Sequence, residues 1–246
     1  MQSGGRCPPE RERYAMVKKL MLILAGALTA VAFAALPGAA SAGTYTAHCQ
    51  TGVDTVCTGS IQSTGIFETE NANGERFTCT SVTGTVIAIG GSSTGTAQLL
   101  FHGCREAVTP FKFSCKNTGT SGTVTTNTLV TEFINTAAAP ATSPGVLLTG
   151  WDVTYECAGF SKKKTVGSLI GTLENAATDC GASRTNHTVA FSESATGVQA
   201  HRHITGTGTT YELTSSDDAG GEYVSTGLAG TWHINWSTGD KVNVTC

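Results

Sequence analysis

The sequence predicts an all-β protein, an antiparallel β-sandwich or barrel-like domain stapled by disulfides. Three observations carry that expectation. Apolar and polar residues alternate with period two in many short runs bounded by Gly, Ser and Asn. Thr supplies 41 of the 246 residues and Gly 30, a composition suited to strand faces and tight turns. Nine Cys occur in a chain that also carries the marks of export. Only 13% of residues are charged, too few for a disordered polyelectrolyte, and neither a Gly-x-y period nor a heptad run is present.

Strand candidates follow in order: Phe77–Thr83, Thr85–Ile89, Thr96–His102, Phe111–Cys115, Gly122–Ile134, Val146–Cys157 and Thr165–Leu173, then Thr188–Ser192, Val198–Ile204, Thr209–Thr214, Gly230–Trp236 and Lys241–Thr245. Turn signals separate them, including Gly90-Gly91-Ser92-Ser93, Asn117-Thr118-Gly119, Ser237-Thr238-Gly239-Asp240 and the Gly-rich stretch around Asp217-Asp218. No amphipathic helix of ten residues is legible after Ala42. The stretch Thr136 to Gly145 holds Pro140 and Pro144 and reads as a loop or linker, because proline cannot sit inside a central strand. One compact unit is expected, with two lobes meeting near residues 136–145 as the alternative.

Lys18-Lys19, an apolar run from Leu20 to Leu36 and the exit Ala40-Ser41-Ala42 form the layout of a cleaved secretory signal. The run is rich in Ala and Gly and sits at the short limit of a spanning helix, so cleavage is expected rather than anchoring. Residues 1–15 are polar and mixed in charge, and Met16 makes the better start: 16–42 is read as the signal and 43–246 as the mature domain. Of 15 basic and 18 acidic residues, five and two lie before residue 43, which leaves 10 and 16 and a net charge of −6. An acidic chain without clustered cations is not expected to bind nucleic acid. The one basic cluster, Lys162-Lys163-Lys164, reads as a solvated hairpin tip.

With Cys7 removed, eight cysteines remain: Cys49, Cys57, Cys79, Cys104, Cys115, Cys157, Cys180 and Cys246. An even set in an exported chain reads as a disulfide framework, and the absence of any Cys-x-x-Cys argues against a redox pair or zinc knuckle. Local loops suggest Cys49–Cys57, Cys104–Cys115 and Cys157–Cys180, leaving Cys79 with Cys246.

The strings Phe77-Thr78-Cys79-Thr80-Ser81-Val82-Thr83-Gly84 and Leu99-Leu100-Phe101-His102-Gly103-Cys104 resemble a group of uncharacterised exported proteins of soil actinobacteria. Gly145-Val146-Leu147-Leu148-Thr149, Thr196-Gly197-Val198-Gln199 and Tyr211-Glu212-Leu213-Thr214-Ser215-Ser216 are similar to the same group. The resemblance implies export and β architecture and carries no activity.

Four features carry candidate chemistry. His201 and His203 would share a strand face with Gln199 and offer two imidazoles to one metal ion, with His187 or Asp179 as third ligand; the plainer reading is a solvated polar face. Gly91-Ser92-Ser93-Thr94-Gly95 matches the nucleophile-elbow string, but it lies between two strands with no helix after it and reads as a hairpin turn. Asp217-Asp218 reads as turn chemistry. Trp232, Ile234 and Trp236 share one face, either a platform for sugars or the buried side of a core strand, and packing is favoured. Asn186, Asn235 and Asn243 head glycosylation acceptor strings that matter only in a host that uses them. The expectation is a secreted or envelope-associated, non-catalytic structural or interaction protein with no cofactor. Its partner is unspecified, an envelope or extracellular polymer being one candidate. The alternatives are a carbohydrate- or ligand-binding module, or a hydrolase or metalloenzyme whose site is assembled from distant residues.

Overall fold

Period-two alternation becomes strand after strand in the computed structural model, which describes residues 46–49, 56–63, 65–108, 111–136, 144–158, 161–174, 184–204, 208–217, 221–237 and 241–245. The strands are β1 Thr46–Cys49, β2 Val56–Ser63, β3 Phe67–Asn71, β4 Arg76–Cys79, β5 Ser81–Ile89 and β6 Thr94–His102. Next come β7 Arg105–Val108, β8 Phe111–Lys116, β9 Thr123–Thr125, β10 Leu129–Asn135, β11 Pro144–Cys157 and β12 Ser161–Glu174. The last six are β13 Asn186–Phe191, β14 Glu193–Ala195, β15 Val198–Gln199, β16 Leu213–Ser216, β17 Val224–Trp236 and β18 Val242–Thr245. No helix interrupts them among the described residues.

Every pairing is antiparallel, and the pairings close into two rings. The first barrel runs β2–β5–β6–β10–β11–β12–β13–β17 and back to β2. The second runs β3–β4–β7–β8–β11–β12–β16–β17 and back to β3. Three long strands, β11, β12 and β17, therefore serve both barrels: one half of each lies in the first wall and the other half in the second. Closure removes the exposed sheet edges that would invite aggregation.

Each shared strand crosses between barrels at a glycine with positive φ. These are Gly150 (φ 77°), beside the bulge between Leu148 and Trp151, Gly167 (φ 124°) and Gly230 (φ 153°). Only glycine takes such backbone angles freely, and it lets the strand turn without breaking its ladder. A Cβ on Gly167 would overlap the Glu212 carbonyl, and one on Gly230 would enter the Phe67 ring, whereas one on Gly150 would meet open space. Gly167→Ala is expected to cost ~2 kcal/mol or more, combining backbone strain with the clash, while Gly150→Ala costs ~1 kcal/mol from strain alone. Urea unfolding of both variants checks that order.

The interiors are filled. Ile61, Leu99, Leu129, Leu169 and Trp232 occupy the first barrel and Phe67, Val153, Leu213 and Leu228 the second, all buried in one continuous core. The β1–β18 ribbon docks on the β5–β6 turn through Ala47 N–H to Ser92 O and Gly91 N–H to Ala47 O, and adds Ala47, Cys49, Val242 and Val244 to that core. Outside the first barrel, Leu147, Ile170 and Ile134 are covered by Ile204, with Tyr211 packed against them.

Several expectations need correction. Cys49–Cys57 forms as expected, but Cys104 pairs with Cys79 and Cys157 with Cys115. The reason is register: Cys115 and Cys157 face one another directly where β8 meets β11. The local pairings Cys104–Cys115 and Cys157–Cys180, and the pairing Cys79–Cys246, are thereby overturned; Cys180 and Cys246 themselves lie outside the described residues. Lys162-Lys163-Lys164 is no hairpin tip, since β12 carries it between β11 and β16. Pro144 opens β11 opposite Asn135, a first position that tolerates a missing N–H. The single runs expected at Phe77–Thr83 and Gly122–Ile134 each divide. Thr80 N–H bonds His102 O in the first, and Thr126 bonds Leu99 through both backbone and hydroxyl in the second.

Candidate functional site

The strongest concentration of chemistry lies inside the second barrel. Inward positions repeat along each strand, and ladder partners face the same space: Thr69 opposite Phe77, Phe77 opposite Glu106, Tyr155 opposite Lys163, and Thr165 opposite Ser215. Their side chains form two layers. The apolar layer holds Phe67, Phe101, Trp151, Val153, Leu213 and Leu228 around a cavity of about 30 Å³. That volume suits one or two waters and falls far below the several hundred Å³ of a small-molecule site.

The polar layer centres on Lys163, about a tenth exposed at its side chain. Its Nζ donates to Asp217 Oδ1 at 2.8 Å, lies 3.4 Å from Glu75 Oε2, and pairs with the equally buried Glu106. Glu75 is presented by the β3–β4 turn. There Asn71 Oδ1 accepts the N–H groups of Asn73 and Glu75, and Asn71 Nδ2 donates to Glu75 Oε2 at 2.7 Å. Arg76 flanks the cluster from outside through Glu70 and Glu68.

Burial works against the Lys163 charge more than any one partner favours it, yet Asp217, Glu106 and Glu75 together hold its pKa above the ordinary lysine value. Burial pushes the Tyr155 phenol up to about 12, with Lys163 and the Thr165 hydroxyl opposing. For Asp217 burial again opposes, and hydrogen bonding to Lys163 brings its carboxyl below the usual range. An ammonium has three N–H donors and meets three carboxylates here. It stays protonated and carries no free lone pair, so it neither attacks nor abstracts a proton at neutral pH. The cluster forms a charged layer around a cavity of about 20 Å³, too small for more than one or two waters. A further depression of about 340 Å³ lies at the surface, lined by Lys116, Asn117, Thr118, Thr154, Glu156 and Lys162, with Lys116 and Glu156 paired at 3.4 Å.

The residues singled out from sequence lie elsewhere. Trp232 and Trp236 are 2% and 7% exposed, so the sugar-platform geometry is not formed. Trp232 packs between Phe67 and Phe191, and Trp236 Nε1 donates to His187 Nδ1 at 2.9 Å. His201 and His203 do not share a strand. β15 ends at Gln199, whose amide is buried and spans Ser192 O and Leu228 N–H, and the chain then leaves to deliver Ile204 to the outer apolar cluster. His187 is committed to Trp236, and Asp179 lies outside the described residues. Among the described residues no three His, Cys, Asp or Glu side chains are placed to hold a metal ion. Gly91–Gly95 forms the β5–β6 turn and the start of β6, as expected. Asp217, read as turn chemistry, is a partner of Lys163; Asp218 lies outside the described residues. The Lys163–Glu106 pair escaped the sequence reading because 57 residues separate its members, and only the parity of Lys163 with Thr165 and Gly167 hinted at an inward position.

No family model, curated protein or solved structure matches this chain.

Proposed function

We propose that this is an exported, disulfide-stabilised structural or interaction protein of the extracellular space or cell envelope, working through its outer surface rather than by chemistry inside its barrels. One observation carries the reading: the barrel interiors are occupied by the protein's own side chains, and the only buried ammonium near a cavity is saturated by Glu106, Asp217 and Glu75 among the described residues. Three disulfides among the described residues fit an oxidising compartment. No helix among the described residues is long and apolar enough to cross a membrane.

Expression of the full chain in a secretion-competent bacterial host tests this. The protein is expected in the medium or wall fraction, oxidised and beginning at Gly43. A reduced cytoplasmic product would contradict the export reading, and turnover in a panel of glycoside, ester and peptide substrates, lost on His201→Ala, would contradict the non-catalytic one.

A further inference from the structure

Charge is divided unevenly between the two barrels. Five neighbouring segments of the first barrel, β13, residues 230–236 of β17, β2, β5 and β6, contain no Asp, Glu, Lys or Arg. The strands of the second barrel carry Glu68, Arg76, Arg105, Lys112, Asp152 and Lys162, among others. Charged groups normally make up about a quarter to a third of a soluble surface. A continuous wall about 20 Å across and about 20–30 Å long without one is therefore unusual.

Hydroxyls, amides and imidazoles hold most of its outward positions, with Leu100 and Ala190 among the apolar ones, and several polar groups are already held in place. Thr83 Oγ1 and His102 Nε2 are 2.8 Å apart, Thr188 Oγ1 and His233 Nδ1 3.0 Å, and Thr58 Oγ1 and Ser237 Oγ 2.9 Å. Such pre-ordered groups lose little further entropy on binding. At one end lie the exposed Val56, Ile87 and Ile89, and the neighbouring β10 borders the wall with the exposed Val130 and, on the same face, Glu132 opposite Thr94.

The composition discriminates among partners. Nucleic acids and anionic lipid surfaces are held by Lys and Arg, which the wall lacks. Protein interfaces are enriched in Tyr, Trp, Phe, Met and Arg, none of which points outward here. Groups that both donate and accept hydrogen bonds match a ligand whose groups do the same, and the aliphatic end suits the C–H faces of sugar rings. We infer that this uncharged wall is a docking surface for a neutral polysaccharide, an inference that rests on the surface-acting function proposed above. With no exposed aromatic ring to stack on a sugar, each unit binds weakly, and retention comes from many contacts along one polymer.

Co-sedimentation of the secreted, oxidised protein with insoluble cellulose, chitin and β-1,3-glucan, and with pectate as the anionic control, tests this at 0.05 and 1 M NaCl, ionic strengths on the order of those that separate screened from unscreened charge. Retention on at least one neutral polymer is expected to be unchanged by salt. Thr85→Arg, at an exposed position of β5, should reduce it roughly tenfold with the melting temperature preserved, as should Thr58→Arg with a small loss of stability from the broken Ser237 bond. Thr154→Arg, on the second barrel, should leave it intact. Absence of retention on all three polymers, or retention lost at high salt, overturns the inference. So does a dimer in analytical ultracentrifugation that Thr58→Arg disperses, since the wall is then a contact between copies. Those results leave the surface-acting function standing; release of soluble sugar from the polymer would instead remove that function.

Discussion

Lys163→Met is expected to cost ~3–5 kcal/mol of folding stability, because it strands the Glu106 carboxylate inside the second barrel without a counter-charge. The size follows from burial: the two side chains are 11% and 9% exposed, so water cannot replace the lost partner. Asp217 and Glu75, 57% and 40% exposed at the rim, lose only ~0–1 kcal/mol each of screened attraction. The double variant Lys163→Met with Glu106→Leu removes both buried charges and should recover most of the loss, or exceed the parent. The difference from the parent also depends on pH. Asp217 titrates below its ordinary value when folded, so its contribution is present above the unfolded pKa and disappears as pH falls through the folded one. Lys163 titrates above its ordinary value, so its contribution is complete below the unfolded pKa and is lost as pH rises through the folded one. Urea unfolding should therefore show the largest gap between parent and variant at neutral pH. An unchanged midpoint at neutral pH would mean that Lys163 is not buried against Glu106.

Trp232→Ala is expected to cost ~3–5 kcal/mol, the usual range for deleting a fully buried indole. Trp232 sits where the barrels share their core. Its ring stacks on Phe67 at 6.0 Å and meets Phe191 edge-on at 4.5 Å, and Phe67 contacts Phe101, which contacts Trp151. The row continues from one barrel interior into the other, so the loss should appear in a single unfolding transition. Trp232→Phe should cost roughly half as much, since its ring contacts survive and the indole N–H has no acceptor among the described residues. Two separated transitions by circular dichroism and by tryptophan fluorescence would show that the barrels unfold independently.

Most strands from Phe77 onward are legible in the sequence because alternation is local, whereas β1, β2, β3, β7 and β14 match none of the candidate runs. Trp232, Ile234 and Trp236 share a face in the chain and an interior in the fold, and Cys49 and Cys57 are close enough to pair by proximity alone. What it misses depends on partners far along the chain. Nothing near Cys115 says that β8 will lie beside the end of β11 and bring Cys157 opposite, so by sequence distance alone the nearer Cys104 is the better partner. Three consecutive lysines look solvated until Glu106 and Asp217 are placed around the middle one. Gly150, Gly167 and Gly230 look like ordinary strand glycines, and only closure of two rings on three shared strands gives them a common task. The pair His201 and His203 misled for the converse reason: alternation was there to read, but burial of the Gln199 amide ends the strand before it reaches them.

Peptide mapping of the secreted, unreduced protein tests the double-barrel fold most directly, because Cys115 and Cys157 sit on the β8–β11 pairing that closes the second ring. The fold predicts linked peptides for Cys49–Cys57, Cys79–Cys104 and Cys115–Cys157. A linked peptide joining Cys104 to Cys115 would contradict it.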